Sequence, residues 1–209
     1  RGADQRRPKR RLTQKETMIA GRTEEELYKA LGLRYIEPEM RENNGELELA
    51  RAGKLPKLIG YGDLRGDLQT QTNWTDGEDS IEKMAEEAEK MGLEYIVITD
   101  HTKSLAMTGG ADEKKLLKQM AEIDKIQKKF KKFRILKGAE VNIGKDGSLD
   151  IEDKVLAKLD VVGAAVHSHF KLSREEETKS VIKAMENPNV DIIFHLTVRI
   201  INRREPIEI

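Results

Sequence analysis

The sequence contains no cysteine, few aromatic residues and no excess of charge of either sign. Without cysteine, disulfides and thiolate metal ligands are excluded within these 209 residues. The 38 basic residues balance 38 acidic ones, so any nucleic-acid binding has to come from local basic patches. No apolar run approaches the roughly 20 residues that cross a bilayer, and the basic start lacks the apolar region of a signal peptide. We therefore expect a cytoplasmic protein without membrane contact.

The composition of the chain and its turn and helix-start signals predict two structural units. A hydrophobic content of 37% can bury one core, or one core with a small appendage. Residues 1–62 read as a basic N-terminal segment and linker, with a cationic cluster at Arg6–Arg11. Two short helices are expected there, one opened by a capping-box pattern at Thr23–Glu26 and one at Glu46–Ala52. A larger unit follows at residues 63–209.

The larger unit alternates strand-like and helix-like patterns. Strands are predicted at 67–72, 94–99, 133–143, 161–166 and 190–194. Helices are predicted between them at 80–91, 112–130, 152–159 and 173–186, the last opened by a second capping box. Such alternation implies right-handed crossovers, and hence a parallel α/β sheet or barrel.

Polar side chains that can bind metal or move protons follow these strands at their carboxyl ends. They are Gln69 and Gln71, His101, Glu140, His167 and His195. Parallel strands bring their carboxyl ends to one edge, where barrel enzymes place their sites. Gln69 and Gln71 share one face of their strand because side chains alternate. Two side chains at that spacing could coordinate one metal ion, but a neutral amide is a poor substitute for an imidazole or carboxylate ligand.

The order and spacing of the motifs resemble the polymerase and histidinol phosphatase (PHP) domain. The matching segments are Asp67–Gly77, Ile98–Thr102, Gly138–Val141, Ala165–Ser168 and Asp191–His195. In addition, Ile19–Leu33 is similar to the junction between the polymerase and PHP parts of bacterial and archaeal family X DNA polymerases. The resemblance therefore covers the chain from about residue 19 to residue 206.

The resemblance implies a distorted, TIM-like (β/α)7 barrel that holds zinc or manganese ions. Its implied activity is metal-dependent phosphodiester hydrolysis, as a 3′-to-5′ exonuclease that processes DNA ends during repair. The implied partners are DNA, with gaps or free 3′ ends, and a polymerase domain of the same parent chain. The family's late Asp-x-His motif has no counterpart before Ile209, so we expect the barrel to be incomplete at its C-terminus.

Carried over by position, the resemblance assigns metal ligation to Asp76, His101, Glu140, His167 and His195. Of these, Glu140 and His101 are the expected catalytic residues.

Gln69 and Gln71 stand where the family has a His-x-His pair, so we expect hydrolysis to be impaired. The segment Phe194–Arg199 also departs from the usual Gly-His-Pro-Thr-Gly-Arg, because bulkier side chains replace two glycines and a proline.

Several of these residues have structural interpretations as well. Asp76 before Gly77 is an ordinary turn signal, and His101 could be a core histidine. A buried Glu140 needs a cation or hydrogen-bond donors, and either a metal or a basic side chain such as Arg199 would serve. His169 is expected to be a surface or entrance residue.

Possible contacts to phosphate or DNA are Arg199, Trp74, Lys128, Lys132 and the Arg6–Arg11 cluster. The simplest explanation of the lysines is the solvated, basic end of a helix. Trp74 could pack in the core or stack on a nucleobase.

Two functional classes remain open from the sequence. One is a phosphoesterase that retains part of a metal centre. The other is a catalytically degenerate PHP module with a structural or DNA-binding role. A stand-alone phosphatase fits the barrel but not the polymerase-type junction.

Overall fold

A computed structural model describes residues 12–14, 17–200 and 202–209. The chain divides into two compact units, with the boundary between Tyr61 and Gly62. The Arg6–Arg11 cluster lies outside the described residues. Within the described ranges, no helix is long and apolar enough to cross a membrane.

The first unit combines a β-hairpin with two short helices. Its elements are β1 (Leu12–Gln14), β2 (Thr17–Ala20), α1 (Glu24–Ala30), a 3-10 turn (Pro38–Met40) and α2 (Glu46–Ala52). Thr23 caps α1 by accepting from the Glu26 amide. The Glu26 carboxylate accepts from the Arg22 amide instead of that of Thr23, so only half of the predicted capping box forms.

Arg41 ties the segment after α1 back onto that helix. Its guanidinium donates to the Glu24 carboxylate at 2.7 Å and lies 5.6 Å from the ring centres of Tyr28 and Tyr35. The guanidinium donates as well to the Ile36 carbonyl. A single cation thus organises an aromatic pair and an otherwise irregular segment.

The second unit is a five-stranded parallel sheet with helices between the strands. Its elements are β3 (Gly66–Thr70), α3 (Ile81–Lys90), β4 (Tyr95–Ile98), α4 (Glu113–Gln127), β5 (Arg134–Asn142), α5 (Asp153–Leu156), β6 (Val161–Ala165), α6 (Arg174–Met185) and β7 (Ile192–Ile193). The strands neighbour one another in chain order, and the sheet curls as part of a barrel. This architecture confirms the predicted incomplete α/β barrel. The helix predicted at 152–159 is a single turn, and the strand predicted at 190–194 has two residues.

Three of the crossover helices begin at polar residues that cap them. Ser80, Asp112 and Ser173 each accept from the amide three residues later. Ser173 forms a complete capping box with Glu176, as predicted. These caps satisfy amides that the helices leave unpaired at their starts.

The core consists of two apolar clusters along the sheet. The first joins α3, β4 and the C-terminal half of α4, and includes Ile81, Ile98 and Ile123. The second joins β5, β6 and the helices α5 and α6. Close packing in the two clusters fixes the positions of β4, β5 and β6.

Candidate metal centre

Glu140 lies at the centre of the polar residues that follow the strands. It belongs to β5 and is completely buried. One carboxylate oxygen, Oε2, accepts from the amides of Gln69 at 2.9 Å and Gln71 at 3.1 Å. The other, Oε1, lies 2.9 Å from His167 Nε2 and 2.7 Å from His195 Nε2. The structure therefore brings five of the predicted residues to one point.

The hydrogen bonds within this cluster shift the pKa values of Glu140 and His195 in opposite directions. Burial by itself raises the pKa of Glu140, but hydrogen bonds from His167, His195 and Gln69 outweigh it and hold that pKa well below its usual range. In return, the hydrogen bond to Glu140 raises the pKa of His195 above its ordinary value of 6.5, against the opposing effect of burial. The buried carboxylate is thus compensated by hydrogen bonds from imidazole and amide groups.

His101 approaches the same carboxylate and is oriented by Asp76. Its Nε2 lies 3.8 Å from Glu140 Oε2, and its Nδ1 lies 2.8 Å from Asp76 Oδ1. Burial raises the pKa of Asp76, but the His101 hydrogen bond outweighs it, and the pKa is lowered. Because an ionised carboxylate only accepts, the His101 ring carries its proton on Nδ1 and turns Nε2 toward Glu140. In this arrangement Asp76 contacts His101 directly; its predicted role as a metal ligand stays a prediction.

A second buried carboxylate, Asp100, positions the loop that carries Asp76. Asp100 accepts from the Thr72 amide at 2.7 Å, from the hydroxyls of Thr72 and Thr75 at 2.6 Å each, and from Gln119 at 2.5 Å. Sequence reasoning missed this role. The Thr99-Asp100-His101 motif at the end of β4 was the available signal, but it drew attention only to the histidine.

The donor set fits one divalent cation. His101, Glu140 and His167 each offer a ligand atom, and these atoms lie within 4.8 Å of one another. Imidazole nitrogen with carboxylate oxygen suits zinc or manganese. Within the described residues no other group of three such side chains is present. Gln69 and Gln71 add only neutral amides, so the residues do not fit a cluster of several ions.

The segment around His195 keeps a strained backbone. His195 has φ 26° and Val198 has φ 43°, values in the left-handed region that β-branched residues strongly disfavour. Val198 stands where the resemblance places a glycine, which would adopt this conformation freely.

The Phe194 ring is accommodated by a glycine on the neighbouring strand. A Cβ built on Gly163 would lie 2.1 Å from the Phe194 ring, so only glycine at position 163 allows the ring to sit there. Phe194 also replaces a family glycine and is buried. The departure from the family pattern is therefore compensated by packing at this position.

The predicted DNA-contacting residues lie in different surroundings. Lys128 and Lys132 are exposed and precede β5, whereas Glu140 lies six residues into that strand, roughly 20 Å along it. Trp74 is half-buried and packs against the first core cluster, which favours its structural interpretation. Arg199 is exposed, and among the described residues its guanidinium makes no ion pair with Glu140; the buried carboxylate finds its donors elsewhere.

The comparisons with known proteins agree with this fold. Residues 67–204 match the PHP domain, and the chain therefore belongs to the PHP domain family, as the motifs indicated. Residues 9–42 match the DNA polymerase beta thumb, an assignment that sequence reasoning had treated only as a linker and junction.

Two kinds of relative are similar to this chain. The DNA polymerase/3′-5′ exonuclease PolX of Bacillus subtilis is 42% identical over 187 residues, which is 90% of this chain and 32% of that protein. A probable phosphatase of Thermoanaerobacter sp. (strain X514) is 40% identical over 120 residues, 56% of this chain and 46% of that protein. The chain thus spans less than half the length of each of these relatives.

Proposed function

We propose that this chain is the PHP region of a longer DNA polymerase of the PolX kind, acting on DNA in the cytoplasm. Residues 1–62 then lead from the polymerase part to the PHP unit at 63–209. The order of a thumb-like segment followed by a PHP domain supports this role, as does the similarity to PolX. The proposed reaction is phosphodiester hydrolysis at gaps or free 3′ ends.

The observation that carries the proposal is the convergence of His101, His167 and Glu140. These residues would hold one zinc or manganese ion, and Asp76 and His195 are the further ligands expected from the resemblance. When bound, such an ion supplies neutralisation of the phosphate charge and lowers the pKa of a coordinated water.

The surrounding residues suggest weaker hydrolysis than a complete PHP site would give. Gln69 and Gln71 both donate to Oε2 of Glu140, and they compete with a cation for that oxygen. His195 lies at the other oxygen and can hold a proton there. Arg199 is exposed and follows His195 by four positions, and we assign it a contact to the DNA backbone.

A degenerate module without hydrolysis is the second candidate. It is favoured by one specific observation: both oxygens of Glu140 have hydrogen-bond partners without any cation. A buried carboxylate that is already satisfied gains less from binding a metal ion.

Metal content and nuclease activity distinguish the two candidates. After exposure to manganese and zinc and removal of loose ions, mass spectrometry should find about one ion per chain, lost in Glu140→Ala and kept in the exposed control Glu86→Ala. The double variant Gln69→His/Gln71→His should bind more metal and release nucleotides faster from a 3′-labelled DNA. If neither the natural chain nor the double variant retains metal or cleaves DNA, hydrolysis is refuted. Unchanged DNA binding in that case would support the module.

A further inference from the structure

Arg204 contacts both of the segments that follow β6 and β7. Its guanidinium carbon lies 4.1 Å from the centre of the Phe170 ring, and its Nε donates to the Val198 carbonyl at 2.7 Å. Phe170 follows His167 by three positions, and Val198 follows His195 by three positions. The Arg204 side chain is half-buried, and none of the motifs had pointed to it. An aromatic face and a carbonyl together hold the planar guanidinium in one orientation.

The donor fork of this guanidinium has no partner within the protein. Among the described residues, the two Nη groups of Arg204 make no hydrogen bond and no carboxylate forms an ion pair with them. Glu205 and Glu208 line the same cleft, yet neither pairs with Arg204. Since no fully buried side-chain nitrogen in the described ranges lacks a partner, the Nη groups face solvent. A fixed guanidinium with its fork free is suited to bidentate binding of phosphate oxygens.

Arg204 lies close to the candidate metal centre. Val198, whose carbonyl accepts from Arg204, donates its own amide to the His195 carbonyl at 2.8 Å. The hydrogen bond to Glu140 raises the pKa of His195, and the charge of Arg204 acts in the opposite direction. The two side chains are therefore within electrostatic reach of each other.

The cleft beside Arg204 combines apolar and cationic surface. It has a volume of about 370 Å³, and Arg174 contributes a second guanidinium to its lining. Its apolar lining residues are Phe170, Leu172, Pro206 and Ile207. Apolar side chains accommodate a sugar or base, whereas arginine binds phosphate. This combination fits one nucleotide of a DNA strand.

We propose that Arg204 binds a phosphate of the DNA strand whose 3′ end lies at the candidate metal centre, with the adjoining nucleotide in this cleft. The proposal deepens the proposed function, on which it rests for the choice of DNA as the ligand. Arg199 and Arg203 belong to the same segment, but both are exposed, and in the described part of the chain no ring or carbonyl holds either guanidinium. Arg204 is oriented in advance, so it loses less side-chain freedom when it binds phosphate.

The test is the affinity of the full chain for a short oligothymidylate, measured with chelator present so that no hydrolysis occurs. A series of these oligonucleotides carries one uncharged methylphosphonate linkage at successive positions from the 3′ end. One such change should weaken binding to the natural chain by about tenfold, as expected for the loss of one hydrogen-bonded charge contact. In Arg204→Gln the same linkage change should have no effect, because the contact is already absent. A purely structural role of Arg204 predicts equal linkage effects in both proteins, and that result overturns the proposal.

Arg203→Gln is the matched control. It removes the same charge from the adjacent, exposed position and should keep the full methylphosphonate effect. The salt dependence of binding is a second readout: the slope of log affinity against log salt should become shallower by about 0.7 in Arg204→Gln, the value for one phosphate contact on a single strand. An unchanged slope in Arg204→Gln refutes the contact.

Arg204→Lys keeps the proposal testable if the glutamine variant does not fold. Lysine keeps the positive charge but has no planar fork, so affinity should fall several-fold and the methylphosphonate effect should shrink. Equal affinity and equal linkage effects in a folded Arg204→Lys contradict the proposal, as does a natural chain that does not bind the oligonucleotide. Hydrolysis is assayed separately with manganese. If the natural chain cleaves no DNA, the proposed hydrolysis fails, while the linkage series still decides whether Arg204 binds phosphate.

Discussion

Replacing Asp100 by alanine should destabilise the PHP unit more than most single substitutions. The side chain is completely buried and accepts four hydrogen bonds, from Thr72, Thr75 and Gln119. Removing it leaves these donors without their acceptor in a site that water does not reach. The loop that carries Asp76 keeps its hydrogen bond to His101 but loses those to Asp100 at the end of β4.

The size of the loss in free energy of unfolding depends on which hydrogen-bond donors can find new acceptors. The Thr75 hydroxyl already lies 3.1 Å from Asp76 Oδ1, and the Thr72 hydroxyl can rotate. The Thr72 amide and the Gln119 side-chain amide have no such alternative. Each buried donor left unpaired costs about 1–3 kcal/mol, so Asp100→Ala should lower the free energy of unfolding by about 2–6 kcal/mol.

Asp100→Asn is the control for shape. Its amide can donate to the Thr72 hydroxyl and Gln119 can turn its own amide over, so the loss should be about 1 kcal/mol. Urea denaturation followed by the fluorescence of Trp74, the single tryptophan, reports on this loop directly. A loss below about 1 kcal/mol for alanine, or equal losses for alanine and asparagine, would refute the reasoning.

Three further substitutions test the rest of the structure. In the presence of a chelator, the His195–Glu140 pair stabilises the protein fully below pH 6.5. This stabilisation is lost as pH rises through the raised pKa of His195. The free energy of unfolding should therefore decline over that pH range, and the decline should be absent in His195→Gln. Leu116→Ala should cost about 2–5 kcal/mol because Leu116 is buried, whereas its neighbour Leu117, which is 40% exposed, should cost far less in the same urea titration. Ser173→Ala removes the α6 capping box and should lower the thermal midpoint in calorimetry by an amount that corresponds to about 1 kcal/mol.

The elements of the fold were predictable where local pattern and packing agree. The apolar face of α3 and the continuous apolar run of β6 follow from period and burial alone. Predictions failed where the chain departs from regular periodicity. The Glu26 carboxylate accepts a hydrogen bond from the Arg22 amide rather than from the Thr23 amide. The strand β7 has only two residues, because the chain turns after it and brings His195 toward Glu140.

The identity of the candidate site was also within reach of the sequence. Because parallel strands bring their carboxyl ends to one edge, the sequence predicts that Glu140, His167 and His195 are neighbours. The basic residues Lys128 and Lys132 show the limit of that reasoning. Both are basic residues that could contact DNA phosphates, but they precede β5 and lie at the opposite end of that strand from Glu140.

The amino-acid sequence by itself determined the strand–helix alternation, the residues at the strand ends and the replacement of two expected ligands by Gln69 and Gln71. Only the tertiary structure decided that both glutamines donate to one oxygen of Glu140, about 70 positions further along the chain. Only the tertiary structure showed that Arg204 lies between the Phe170 ring and the Val198 carbonyl. The reason is physical: local pattern sets periodicity and propensity, whereas the direction of a hydrogen bond between distant residues depends on strand register and on which neighbours can only accept.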